Sequence, residues 1–244
     1  MPDIETIWII GASDGIGAAM AQEWSARGAR LILSARSTDR LRELAGRLGD
    51  CHVVPLDVGD RSSVDAAAQK IAAIGTVDRI INLAAIYDPG KVAELDPVTA
   101  GQITAVNLTG SFHVAQIAPK VLKPNGQLAL CGSVAGYVGL PQGQIYSATK
   151  AGVINLAQSL RVEMAGTFDV RLINPGFVDT RLTQRNDFTM PAITTPDVAA
   201  RTIIDGLLSR RFEIHFPRRF TFGLKLLGIL PYWALFPLTK RLAR

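Results

Sequence analysis

The 244-residue sequence predicts a single-domain α/β fold, a doubly wound parallel sheet of about seven strands with helices on both faces. Three observations predict it. Short apolar runs alternate with helix-length segments along the chain. The runs are apolar on both faces, as strands covered on two sides must be. No linker or shift in composition breaks residues 1–215.

Each element follows from its pattern. TIWII (6–10), RLILSA (30–35), CHVVPL (51–56), DRIINLA (78–84), GQLALCG (126–132), DVRLIN (169–174) and RFEIHF (211–216) read as strands. Between them, residues 16–28, 39–48, 63–75, two consecutive stretches from about 97 to 122, 145–166 and 196–209 read as helices. A helix between each pair of strands makes the connections crossovers, so neighbouring strands run parallel.

Composition bounds the function. With 48% hydrophobic and 19% charged residues, the chain can bury a sizeable core. Cys51 and Cys131 lie far apart, with neither a disulfide framework nor metal-ligand spacing, which favours a reducing compartment. His52, His113 and His215 sit in strand or helix contexts without ligand spacing, so no metal is expected. The N-terminal MPDIETIWIIGAS has acids where an export signal has bases, and the expected location is cytoplasmic. The net charge of +5 resides in the tail: residues 216–244 carry six bases and no acid, leaving 20 bases against 21 acids before them. No basic stripe or binding motif for nucleic acid is left in the body.

Directly after the first strand comes GASDGIG, Gly11 to Gly17, and directly after it a helical pattern. A glycine turn there lets the backbone approach a pyrophosphate, while the helix N-terminus supplies amide donors and partial positive charge. The spacing is G-x-x-x-G-x-G rather than the G-x-G-x-x-G of many dinucleotide sites. The second strand ends in Arg36, with Ser34 and Ser37 nearby, about 20 residues beyond the turn, where an NAD site places an acid for the ribose 2′-hydroxyl. The planar guanidinium suits a 2′-phosphate, so NADP is expected over NAD.

YSATK, residues 146–150, sets a tyrosine and a lysine one helical turn apart, on one face. A unit charge about 4 Å away at an effective dielectric near 20 is worth about 4 kcal/mol. Lys150 is therefore expected to draw the Tyr146 phenol, ordinarily near pH 10, toward neutrality. Ser133 lies just past the fifth strand, where open α/β sheets hold ligands, and its G-S-x-x-G context differs from the G-x-S-x-G of hydrolases. Asn107 falls between two helical stretches, and NPGFVDT (174–180) forms a loop after the sixth strand.

In combination, GASDGIG, NLAA (82–85), Asn107, Ser133, YSATK and NPGFVDT resemble the short-chain dehydrogenase/reductase family over about residues 5–215. Ile10 stands where that family usually has a hydroxyl residue, and NLAA where it has N-N-A-G. The resemblance implies a Rossmann-type domain, a small carbonyl or alcohol substrate, and a homodimer or homotetramer. It implies Tyr146 as general acid/base and as a cofactor contact, Lys150 as its charged neighbour and ribose ligand, Ser133 on the substrate oxygen, and Asn107 supporting a water that connects Lys150 to solvent. For the cofactor it implies Gly11, Ser13, Asp14, Gly15, Ile16 and Gly17 at the pyrophosphate, and Asp57 and Val58 at the adenine. Asn82 and Ala84 would meet the adenosine ribose, with Pro175, Gly176, Val178 and Thr180 on the nicotinamide side. The rival reading is a non-catalytic NADP(H)-binding regulatory or membrane-associated protein on the same fold. Specificity is expected in residues 86–96, 134–145 and 178–195.

Residues 216–244 form an apolar, basic tail whose longest uninterrupted apolar stretch, LLGILPYWALFPL, is shorter than the ~20 residues a bilayer span needs. Two placements are expected: packing over the substrate entrance or a partner subunit, or a helix pair lying on anionic lipid at the inner face of a membrane.

Overall fold

A computed structural model describes residues 4–241; Arg244, one of the six tail bases, lies outside the described residues. The sheet has seven strands, β1 (Thr6–Ile10), β2 (Arg30–Ser34), β3 (Cys51–Val53), β4 (Val77–Asn82), β5 (Leu122–Cys131), β6 (Asp169–Pro175) and β7 (Glu213–Phe216), in the order β3-β2-β1-β4-β5-β6-β7. All pairings are parallel.

The apolar runs divide between the two faces by strand alternation. Ile7, Ile9, Leu31, Leu33 and Ile173 face one layer, formed by α1 (Gly15–Ala26), α2 (Thr38–Ala45) and α7 (Pro196–Leu207), which supply Met20, Trp24, Leu41, Ile203 and Ile204. Trp8, Ile10, Ile32, Leu128 and Leu172 face the other, where α3 (Arg61–Ile74), α5 (Gly110–Val121) and α6 (Gln144–Glu163) contribute Val64, Ile71, Val114, Ile117, Val153 and Ala157. Burial on both sides is why the strand sequences lack polar alternation.

Three local features differ from the sequence expectation. β5 begins at Leu122, which pairs with Val77, and reaches the Arg79–Gln127 pairing through an irregularity in which Asn125 has φ +61°. The two stretches between 97 and 122 are not separated: α4 (Pro97–Thr104) continues through a π-turn over Ala105–Thr109 into α5, and Asn107 sits inside that turn. A π-turn is a local widening of a helix, common where a helix serves a site. In the tail, α8 (Arg218–Gly228) and α9 (Tyr232–Lys240) pack Leu224 and Leu235 against Val134 and Val138 of the same chain, a small third core over the segment after Ser133. Among the described residues, no helix is long and apolar enough to cross a membrane.

Candidate active site

The strand order reverses between β1 and β4, and a cleft of about 420 Å³ opens at the carboxyl ends of the strands there. The glycine turn forms one wall. Gly11 has φ +85°, and a Cβ on it would come within 2.8 Å of the Ala84 nitrogen, so the turn packs directly on the end of β4. At Gly17 a Cβ would lie 2.2 Å from the Gly11 carbonyl oxygen, which closes the turn onto the start of α1. Asp14 caps that helix by accepting from the Gly15 amide at 2.7 Å. Its other carboxylate oxygen faces Arg181 at 3.1 Å and Arg40 at 3.7 Å, which offsets the acid's charge beside the cradle. Ser13, Gly15 and Ile16 complete this wall. The space is one that side chains at the glycines would fill, and the helix N-terminus behind it favours an anion; both fit a dinucleotide pyrophosphate.

Beyond the turn the cleft runs over the end of β2, lined by Arg36, Ser37 and Arg40, with Arg36 exposed. Ser34 is not part of this surface. It is buried, donating to the Val54 carbonyl at 2.6 Å and accepting from Trp8 Nε1 at 2.9 Å. Asp57 and Val58 line the next stretch, where Asp57 Oδ1 accepts from the Gly59 amide at 2.9 Å. Ala84 is on the wall, but Asn82 is behind it: Oδ1 accepts from the Ala84 amide at 3.2 Å and Nδ2 donates to Ser111 Oγ at 3.3 Å. Asn82, expected at the adenosine ribose, does not line the cleft, and its side chain braces the turn that carries Ala84. Pro175, Gly176, Val178 and Thr180 form the opposite wall, and Thr180 touches the glycine turn, since a Cβ on Gly15 would be 2.9 Å from Thr180 Cγ2.

Ser133, Tyr146 and Lys150 line the same cleft. Tyr146 and Lys150 share one face of α6, as i,i+4 spacing requires, with Nζ 5.6 Å from the phenol ring centre. The ammonium itself donates to the Cys131 carbonyl at 2.8 Å. Burial, rather than the ammonium, dominates the phenol. Burial pushes the Tyr146 hydroxyl well above its ordinary range, the Ser133 hydroxyl works the other way, and burial pushes Lys150 down. Desolvation dominates because both groups lie in a low-dielectric wall, and the ammonium is directed at a carbonyl. The phenol is thus held as an acid.

Asn107 lies outside the cleft lining and is fully buried. Oδ1 accepts from the Ile86 amide at 2.9 Å, and Nδ2 donates to the Ile86 carbonyl at 3.0 Å and to Thr149 Oγ1 at 3.3 Å. Thr149 in turn donates to the Tyr146 carbonyl at 2.7 Å. The Asn107 side chain is thus a brace that ties the 86-loop to the helical turn carrying Tyr146.

Several groups at the mouth were not picked out in the sequence. Tyr87 packs on Tyr146 with ring centres 4.6 Å apart and donates to Asn186 Oδ1 at 2.8 Å. Arg185 donates to the Tyr87 carbonyl at 2.9 Å. Phe177 packs edge-on against Phe188 at 5.7 Å and on Phe220 of α8 at 5.8 Å. The three segments expected to hold specificity are joined in pairs: Tyr87 bonds Asn186, the Gln144 amide donates to the Gly90 carbonyl, and Phe188 reaches residues 134–140 through Phe177 and Phe220.

The model of the family described as short chain dehydrogenase matches residues 5–190. The chain belongs to the short-chain dehydrogenase family. Consistent with that membership, an uncharacterised oxidoreductase of Staphylococcus epidermidis is 34% identical over 185 residues, 74% of this chain and 80% of that protein. The Arabidopsis thaliana 11-beta-hydroxysteroid dehydrogenase 1A is 29% identical over 76% of this chain and 55% of its own length. Among solved structures, an alcohol dehydrogenase from Thermococcus sibiricus complexed with 5-hydroxy-NADP superposes with TM-score 0.80 at 26% identity, covering 88% of this chain and 96% of that one. The fold is shared with a Burkholderia phymatum short chain dehydrogenase/reductase in complex with NAD, at TM-score 0.81, 21% identity, and 92% of each chain. The protein is an oxidoreductase of this short-chain family.

Proposed function

We propose that the protein is an NADP-preferring carbonyl reductase or alcohol dehydrogenase acting on a lipophilic small molecule. The observation that carries this reading is the convergence of the glycine cradle and the Ser133–Tyr146–Lys150 group on one cleft. Relatives of this fold are described with NADP-type cofactors and with NAD, so a nicotinamide dinucleotide is the class of ligand. Preference for NADP rests on Arg36 and Arg40, two guanidinium groups in the cleft where a 2′-phosphate would bind.

When bound, the reduced dinucleotide supplies a hydride to the substrate carbonyl carbon. The chain's residues handle the oxygen and the proton. Ser133 Oγ, on the same cleft wall as the Tyr146 phenol, orients the substrate oxygen. Tyr146, kept protonated by burial, donates its proton to that oxygen as negative charge develops there. Lys150, anchored on the Cys131 carbonyl, adds the one buried ammonium of this wall and a ligand for the ribose. Asn107 and Asn82 act by positioning, through Ile86 and Ala84.

Aromatic contacts among Phe177, Phe188 and Phe220, and the apolar tail core beyond Ser133, support a lipophilic substrate. Initial rates with NADPH and NADH on a panel of aldehydes and ketones test the reading. Turnover with NADPH favoured is expected, and Arg36→Asp is expected to shift the preference toward NADH by about tenfold or more. An unchanged cofactor ratio in that variant removes Arg36 from the site. Tight NADPH binding with no turnover on any carbonyl supports a non-catalytic dinucleotide-binding protein instead.

A further inference from the structure

Helices α8 and α9 present two faces of different chemistry. The inner face is anchored: Leu224 and Leu235 are buried against Val134 and Val138, and Lys225 pairs with Glu213. Glu213 also accepts from the Asn174 amide at 2.7 Å and from the Tyr137 hydroxyl at 2.5 Å, so the root of the tail is fixed to the last two strands. The helix pair is thus held with a defined side outward.

That outward side is apolar at its centre. Phe222, Leu226 and Ile229 recur at i, i+4 and i+7 along α8, and Tyr232, Trp233 and Phe236 continue the patch on α9. Ile229 is 78% exposed and Trp233 80%; Val92 and Val162 are as exposed but stand singly, so it is the clustering on two consecutive helices that sets this surface apart. Tyr232 and Phe236 stack at 5.2 Å, which fixes two of the rings outside the core. The patch is bordered by exposed bases, Arg218 and Arg219 at the start of α8 and Lys240 and Arg241 at the end of α9. Trp233, Lys240 and Arg241 share one helical face, at i, i+7 and i+8.

The charges identify the occupant. Residues 216–244 contain no acid, so the border has no neutralising group of its own. Arg218 and Arg219 occupy the first turn of α8, where the helix dipole disfavours cations and no acid accompanies them. That arrangement is costly in the isolated chain and favourable against an external layer of anions. A second copy of this chain meeting the patch about a two-fold axis would set the same acid-free border against itself. Aromatic rings with flanking bases on two short helices of 11 and 9 residues instead match the boundary between headgroups and acyl chains.

We infer that the outer face of α8 and α9 docks the protein on an anionic lipid bilayer, with Phe222, Leu226, Ile229, Trp233 and Phe236 at the acyl boundary and the four bases at the headgroups. The surface is independent of the catalytic reading and would stand if that reading failed.

The test uses the full chain with phosphatidylcholine vesicles, with and without phosphatidylglycerol. The protein is expected to cosediment with the anionic vesicles, to release at high salt, and to stay in solution with phosphatidylcholine alone. Of its three tryptophans, Trp8 and Trp24 are buried, so a blue shift of emission on adding vesicles reports Trp233. Replacing Arg218 and Arg219 together by Gln is expected to weaken partitioning about thirtyfold, from about 1 kcal/mol for each base at an anionic surface. Trp233→Ser with Phe236→Ser is expected to abolish the residual binding. All four positions are exposed, so circular dichroism and the melting temperature should match the parent protein. Absence of cosedimentation, or equal binding to both vesicle types unaffected by the arginine pair, overturns the proposal. So does a dimer in sedimentation velocity that the Trp233 and Phe236 changes convert to monomer without any vesicle binding.

Discussion

Asn107→Ala removes the amide that joins the 86-loop to the helix of Tyr146, and the structure allows its cost to be worked out. Two bonds of ordinary length, to the Ile86 amide and carbonyl at 2.9 and 3.0 Å, are lost together with a longer one to Thr149 at 3.3 Å. Asn107 is 0% exposed, so the Ile86 groups lose partners in a dry setting. At roughly 1–3 kcal/mol for each polar group left without a partner, and with Ile86 only partly buried so that water can reach it, about 2–3 kcal/mol is expected. For a chain of this size that is a fall of about 4–12 °C in melting temperature. Because Tyr146 and Tyr87 are both held through this brace, kcat/KM should fall by between about tenfold and a hundredfold, the cost of a misplacement of about 1 Å. Differential scanning fluorimetry and initial-rate kinetics on the same preparation measure both effects. Loss of activity with the melting temperature unchanged to within about 1 °C would refute the brace and return Asn107 to the chemistry.

Gly17→Ala places a methyl 2.2 Å from the Gly11 carbonyl oxygen, so the turn must open by about 1 Å. The helix-propensity gain of about 1 kcal/mol is smaller than the clash; NADPH affinity by fluorescence titration should drop by about two orders of magnitude, and an unchanged Kd would exclude the turn as the cradle. The pH dependence follows from the raised phenol of Tyr146. An acid whose pKa is raised stays protonated through neutral pH, so carbonyl reduction should be flat from about pH 6 to about pH 9. The reverse reaction needs the phenolate and should rise about tenfold per pH unit over that range; a reductive rate that falls near pH 7 would contradict the burial effect.

Much of the fold was legible because its cause is local. Parallel strands buried on two faces must be apolar throughout, and TIWII, RLILSA and DRIINLA say so without reference to the rest of the chain. The place of the cleft was legible for the same reason, since the glycine turn follows β1 and Ser133 follows β5 in any doubly wound order. The direction of a side chain was not. Spacing put Lys150 beside Tyr146, but only tertiary structure points its ammonium at the Cys131 carbonyl, 19 positions away. Asn82, expected at the adenosine ribose, and Asn107, expected to support a water connected to Lys150, are both buried with their side chains on backbone groups, a choice of partner that residue type cannot express. The contacts of Tyr87 with Asn186 and of Tyr137 with Glu213 join positions 99 and 76 residues apart. No periodicity signals such pairs. The π-turn at 105–109 escaped because the alternatives, a break and a widened helix, share one apolar pattern.

The central claim is that the Tyr146 phenol is the proton donor in a cleft that binds the dinucleotide by other groups. Tyr146→Phe removes a single oxygen, and the decisive measurement is NADPH oxidation by this variant, with NADPH affinity determined on the same sample. The account predicts turnover reduced by at least about three orders of magnitude and cofactor affinity within a few fold of the parent protein. Turnover within tenfold of the parent would contradict it.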